Sequence, residues 1–420
     1  MSPARTTTCP FCGLLCDDLE VDPADPKRAP RNTCVRGRDA YESLAAADGT
    51  PQVSGRAVGL DAALDAVAAL LRSARRPLIG GLDVDIAGMR ATLDLARRLG
   101  AVVDHVSVAK QRNLRALQEF GAITTTFSEV RNRADLLLLV GDGWHRRFPR
   151  FIERMVAVES DLFGPPLRRR IVTLNPVGHD TKAALPHDAP HLALDVAPEQ
   201  LPVLIGMLTA MIDDRPVEPR RWGLVAPALL ERCVAWMREA RYGIVVWTAA
   251  DLEGPHAELT VQSITRCIRS LNGATRFAAM PLAGTDGDLT ANAVQTWQSG
   301  VGLPACYGDG RVVADPERFA LSAVLARGEA DALIWVSSLG QAAIPAFDAG
   351  PTVVFGRADR RFDRAPDVFV PVATPGVDAA GHLVRGDKVV TLRLPAIRAT
   401  DRPSVESALR GVLDRLGPPC

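Results

Sequence analysis

The first thing this 420-residue chain lacks is a charge of either sign: 49 Lys and Arg stand against 49 Asp and Glu, for a formal net charge of zero. Without a basic excess there is no electrostatic footprint for nucleic acid. Long apolar runs are missing too, since none approaches the roughly 20 residues of a membrane span. Residues Met1–Thr8 hold neither the apolar core of a secretory signal nor a twin arginine, so a soluble, unexported chain is expected. Outside the first 34 residues the cysteines, Cys233, Cys267, Cys306 and Cys420, are scattered without ligand spacing. That fits a reducing compartment, the cytoplasm, better than a disulfide framework. Repeats of short period and low-complexity tracts are absent.

What is present begins with the other four cysteines. Cys9, Cys12, Cys16 and Cys34 form a Cys-x2-Cys-x3-Cys run, followed by seventeen residues before the fourth. Thiols two and three residues apart on one tight loop face a common centre, Gly13 supplies turn freedom, and the distant fourth closes the cage from a returning segment. The pattern suits a [4Fe-4S] cluster. A four-thiolate zinc site, which more often shows two Cys-x2-4-Cys pairs, and a lobe holding no metal are the alternatives.

Beyond the quartet, apolar runs alternate with helical periodicity, and the length suffices for about two or three domains. Helices are expected at Leu60–Leu71, Ile86–Leu99, Glu199–Ile212, His256–Leu271, Pro316–Ala326 and Gln341–Phe347. Strands are expected at Pro77–Gly81, Ala101–Asp104, Leu136–Val140, Ile171–Leu174, Ile244–Trp247, Arg276–Ala279, Ala332–Val336, Thr352–Phe355 and Val368–Val370. The strand runs are continuously apolar, as in parallel sheets covered on both faces. This reads as α/β, with two doubly wound, mostly parallel sheets beside a small N-terminal cysteine lobe.

The order and spacing of several short motifs then carry a resemblance. Thr8-Cys9-Pro10-Phe11-Cys12-Gly13-Leu14-Leu15-Cys16-Asp17-Asp18, the stretch Gln118-Glu119-Phe120-Gly121 leading to Glu129-Val130-Arg131-Asn132-Arg133-Ala134-Asp135, and Asn292 with Thr296-Trp297-Gln298-Ser299-Gly300 resemble the B subunit of formylmethanofuran dehydrogenase, of the molybdopterin oxidoreductase superfamily. Glu329-Ala330-Asp331-Ala332 and Pro366 to Pro371 extend the likeness nearly end to end. The resemblance implies a [4Fe-4S] cluster on Cys9, Cys12, Cys16 and Cys34. It also implies a molybdenum or tungsten bis-pterin centre interconverting carbon dioxide and formate. By the same layout, residues 1–49 form the cysteine lobe, 50–105 with 288–375 one discontinuous domain, 106–287 an inserted domain, and 376–420 a tail packing back on the lobe.

The departures bear on function. Nine residues before Gln118 the resembled subunits place a metal-ligating Cys or selenocysteine followed by His, and this chain has Ala109 and Lys110. A methyl coordinates nothing, and an ammonium replaces an imidazole proton acceptor with a charge. Their Arg-Gly-His, whose Arg orients a carboxylate, matches Ala283-Gly284-Thr285, so bidentate recognition is lost. A pterin-nucleotide segment reads Thr173-Leu174-Asn175-Pro176, then His179, Asp180 and Thr181. Molybdopterin is therefore not expected.

The implied role is a noncatalytic scaffold, resembling the B-like member of the formyltransferase/hydrolase complex of methylotrophs. There, amidohydrolase and formyltransferase partner subunits pass a formyl group from tetrahydromethanopterin through a furan-type carrier to formate. One alternative is an active pterin dehydrogenase subunit whose metal takes a non-protein ligand. Another is an iron–sulfur electron carrier, which would need a second redox centre within reach. Of the remaining features, Gly141-Asp142-Gly143 is an incomplete dinucleotide fingerprint, and His179, His187 and His191 fit no zinc spacing. Arg146, Arg147, Arg150 and Arg154 read as a solvated face, and Trp144, Trp297 and Trp335 as core residues or interface anchors.

Overall fold

The computed structural model describes residues 5–47, 49–105, 109–159, 162, 168–174, 181–218, 223–252, 257–284 and 287–417. The chain divides into two units, Met1–Ser107 with Gly284–Cys420 and the intervening Val108–Ala283. Among the described residues no helix is long and apolar enough to cross a membrane.

The first unit is built on a nine-stranded mixed sheet. Its centre is five parallel strands in the spatial order Val102–Val103, Pro77–Asp83, Ala332–Ser337, Thr352–Arg357 and Val368–Val372. Short strands extend it antiparallel at both edges, Ala305–Cys306 with Val313–Ala314 on one side and Gln52–Val53 with Arg56–Ala57 on the other. Every residue of Pro77–Asp83 and Ala332–Ser337 is buried, which is why these stretches are apolar without alternation.

Helices Leu60–Ser73, Ile86–Leu99, Asp288–Ser299 and Val405–Leu416 present Leu64, Val67, Met89, Leu93, Val294 and Leu409 to one large core. Ile86–Leu99 starts where the Asp85 carboxylate accepts the Gly88 N–H at 2.9 Å and stops at Gly100 in the left-handed conformation, signals written directly in the sequence. A smaller core gathers Leu78, Leu333, Trp335 and Phe369. Within that smaller core Gly80 and Gly81 leave room for the Trp335 ring, which would lie 3.0 Å from a Cβ on Gly80.

The second unit holds a five-stranded sheet that is parallel throughout, in the order Phe277–Leu282, Gly243–Thr248, Leu136–Val140, Arg170–Leu174, His191–Ala193. Leu204, Leu208, Leu230, Met237, Ile264 and Ile268, from helices Leu201–Ile212, Pro227–Glu239 and Ala257–Leu271, pack on Leu138, Val172 and Val245.

The α/β class is as the alternation predicts, one sheet parallel and the other mixed. Two expected helices differ. Gln341–Phe347 is irregular, because Pro345 removes a donor and pushes Ile344 out of the helical region. Its carbonyls are taken by arginines instead, Ala342 by Arg360 and Phe347 by Arg364. Pro316–Ala326 is helical only over Leu321–Ala326. There Asp315 holds the Glu317 and Arg318 amides in a turn, and Asp104 accepts the Leu321 N–H at 2.8 Å to start the helix late.

Leu409, fully buried in the C-terminal helix, tests whether that helix belongs to the first core. Leu409→Ala should cost about 2–5 kcal/mol in urea unfolding, and a cost near zero would show the helix to be peripheral.

Candidate functional site

The cysteine lobe is a hairpin with a returning strap. Strands Arg5–Thr7 and Leu19–Val21 pair antiparallel, and between them the Cys9 N–H donates to the Cys16 carbonyl at 2.8 Å while the Leu15 N–H donates to Cys12 at 3.1 Å. Leu15 takes the positive φ (45°) that so tight a loop demands. The chain returns as Glu20 and Arg31 exchange both backbone hydrogen bonds. Asn32, at φ 63°, ties its side chain to the Asp18 carbonyl. Cys34 is thereby delivered to the N-cap of helix Val35–Ala45.

All four sulfurs belong to this one lobe. Cys9, Cys12 and Cys16 are buried and Cys34 is partly so. The Sγ atoms of Cys9 and Cys34 lie 3.5 and 3.8 Å from the point a Gly37 Cβ would occupy, so both face this side of the helix. Burial pushes the Cys9 thiol well above its ordinary value, and the neighbouring Cys12 adds to the shift. Burial pushes Cys12 up to about 11, against the Leu14 amide and the Arg36 guanidinium, which favour its thiolate. Backbone amides aimed at sulfur and a nearby arginine are what a thiolate-held group requires.

Among the described residues no three His, Cys, Asp or Glu side chains close on a point that could hold a single metal ion. A tetrahedral zinc needs four thiolates about 2.3 Å from one atom. A cluster spreads its ligands around several irons, and the lobe is compatible with that wider arrangement.

The lobe sits on the carboxyl edge of the mixed sheet. Strands Pro77–Asp83 and Ala332–Ser337 flank the point where strand order reverses, the place where such sheets form a crevice. Here the crevice is covered. Leu15 packs with Leu339, Leu383 and Leu394, Phe11 lies under Arg357 at 5.7 Å, and Ser43 donates to Asp359 at 2.6 Å. The Gly13 carbonyl accepts the Gly386 N–H at 2.7 Å. Arg357 and Asp359 form a buried ion pair, with Arg357 also donating to the Leu339 carbonyl.

Sequence reasoning singled out neither Tyr41, Arg357 nor Asp359, which no local motif marks. Ala109 and Lys110 open helix Ala109–Phe120 of the second unit. Ala283 follows strand Phe277–Leu282, and Thr285 lies outside the described residues, as do His179 and Asp180. His191 shares a 2.9 Å hydrogen bond with Thr173, and His187 is exposed.

Of the arginine group, Arg146 is exposed, Arg147 and Arg154 are partly so, and Arg150 is buried. Arg146 bridges Asp142 at 2.7 Å and Asp251 at 2.9 Å, Arg147 reaches Asp251 at 3.1 Å, and Arg150 is buried against Glu153. This network lies at the carboxyl ends of Leu136–Val140 and Gly243–Thr248, the reversal point of the second sheet. A Cβ on Gly143 would collide with Asp251 and Thr248.

No protein-family model matches the chain. It is similar to the B subunit of the formyltransferase/hydrolase complex Fhc of Methylorubrum extorquens, 28% identical over 368 residues that cover 87% of this chain and 96% of the relative. It is also similar to the B subunit of the tungsten-containing formylmethanofuran dehydrogenase 2 of Methanocaldococcus jannaschii, 25% identical with 92% of each covered. The crystal structure of the M. extorquens FhcABCD complex with methylofuran matches with a TM-score of 0.74 at 27% identity, over 87% of this chain and 98% of that one. Acetylene hydratase from Pelobacter acetylenicus, 12% identical with a TM-score of 0.62, covers 98% of this chain and 69% of its own, and shares the fold alone.

Thiol chemistry checks the lobe. In the metal-free, reduced chain Cys12, pushed from 9.0 to about 11, should react with iodoacetamide at pH 8 about a hundredfold more slowly than a free thiol, recovering as pH rises. Site-resolved mass spectrometry showing an ordinary rate at Cys12 would contradict the buried geometry.

Proposed function

We propose that this chain, a homologue of those two relatives, is a noncatalytic scaffold of a cytoplasmic formyltransferase/hydrolase complex in tetrahydromethanopterin-linked one-carbon metabolism. It holds amidohydrolase-like and formyltransferase-like subunits in relation to one another, and passage of the formyl group to formate belongs to those partners. The observation that carries the reading is Ala109, which offers no lone pair where a pterin-bound metal takes its protein ligand. Lys110, Ala283 and Thr285 agree with it, since neither the imidazole acceptor nor the carboxylate-orienting arginine is present.

The residues do not fit a pterin dinucleotide. At the reversal point of the second sheet the guanidiniums of Arg146 and Arg147, which would meet a pyrophosphate, are neutralised by Asp142 and Asp251. The cysteine lobe does fit a [4Fe-4S] cluster, which Cys9, Cys12, Cys16 and Cys34 would hold. Such a cluster supplies one-electron capacity and four covalent ties across a small lobe. In a scaffold the ties matter more than the electron.

Partner contact has a surface candidate. Trp297 is 63% exposed on helix Asp288–Ser299, whereas Trp144 and Trp335 are fully buried. A large exposed aromatic side chain is the kind that anchors an interface.

Metal and pterin analysis of the purified complex tests the scaffold. The expected result is about four irons per chain with neither molybdenum nor tungsten and no released pterin. One equivalent of either metal with pterin, together with dye-linked formate or formylmethanofuran oxidation, would restore the dehydrogenase. Trp297→Ala should weaken co-purification of partner subunits while shifting unfolding of the isolated chain by less than about 0.5 kcal/mol. Intact assembly would remove Trp297 from the interface.

A further inference from the structure

Tyr41 is 1% exposed in helix Val35–Ala45. Its ring meets Phe11, one of the two residues between the first two cysteines of the quartet, edge-on with centroids 5.0 Å apart. Its hydroxyl is buried and, among the described residues, has no hydrogen-bond partner. Leaving a buried hydroxyl unpaired is unfavourable, which asks what else completes the bond.

The helix shows which way the side chain faces. Gly37 and Tyr41 are four residues apart and share one face, and at Gly37 that face lies against the sulfurs of Cys9 and Cys34. The electrostatics agree: after burial, the charges that raise the phenol's pKa are those of Cys9, Cys16 and Cys34, with Arg398 opposing them. Phenylalanine would fill the same space against Phe11, so packing alone gives no reason for the oxygen.

We infer that the Tyr41 hydroxyl is a positioning donor for the group held by the quartet, giving its hydrogen bond to a cluster sulfide or cysteine sulfur. This rests on the cluster reading above and adds to it a residue that no cysteine motif contains. A donor to sulfur stabilises the more negative, reduced state, so Tyr41 raises the reduction potential and helps keep the cluster in one orientation.

The test uses the full-length chain, anaerobically reconstituted with iron and sulfide, as wild type and as Tyr41→Phe. Iron and sulfide per chain are measured first, then the midpoint potential by a titration followed by electron paramagnetic resonance. The proton couplings of the reduced cluster are then compared in H2O and D2O. Equal iron in both proteins, a lower potential in the variant and loss of one exchangeable coupling are expected. Equal iron with unchanged potential and couplings would overturn the inference and leave the cluster standing. Wild type that takes up no iron would overturn the cluster reading and the inference with it. Should the variant load poorly, the wild-type spectrum decides, since absence of an exchangeable coupling assignable to a phenol sinks the proposal.

Discussion

Four sulfurs crowded into one dry lobe set the terms for the first unit. A buried thiolate without compensation is costly, so Cys9 and Cys12 are held as thiols until something positive takes them. The lobe carries the means of that compensation in amides aimed at sulfur, the start of helix Val35–Ala45 and the Arg36 guanidinium. Arg36 is itself tied to the Phe11 carbonyl at 2.9 Å. At under fifty residues such a lobe cannot build a sufficient core of its own, and it borrows one. Leu15 packs with Leu339, Leu383 and Leu394, and Pro10 lies 3.3 Å from the point a Gly376 Cβ would occupy. The cysteines, the mouth of the mixed sheet and the C-terminal segment therefore stand or fall together.

Both sheets have a reversal point, and each is filled from within its own unit. In the first, the cysteine lobe covers the mouth, while the Asp83 carboxylate accepts the Gly340 N–H at 2.6 Å and Arg360 donates to Ser337 at 3.3 Å. In the second, two aspartates absorb the charge of two arginines. The two carboxylates are buried although their arginines are exposed or partly so, and breaking a pair would strand a charge. Mouths closed in this way are consistent with the scaffold role proposed above.

Much of the fold was legible because burial on both faces forces a continuous apolar run. Leu136–Val140 was read to the residue and the other expected parallel strands to within a few, while the parallel strand His191–Ala193 was not expected. What escaped reading had weaker signals. Helix Val35–Ala45 is polar and buries only Gly37, Tyr41 and Leu44, and the antiparallel edge strands are two residues each. The false helix at Gln341–Phe347 shows the opposite failure, in which apolar composition outvoted Pro345 and arginines from elsewhere in the chain took the carbonyls.

By itself the sequence determined the α/β alternation and the quartet as a unit, since each depends on residue type and short-range spacing. Only the tertiary structure decided where charge is spent: that Arg146 and Arg147 pair with Asp251, that Arg357 lies over Phe11, and that the buried Tyr41 hydroxyl has no partner among the described residues. Those pairings join residues up to hundreds of positions apart. Electrostatic energy depends on distance and burial in space, and neither can be read along a chain.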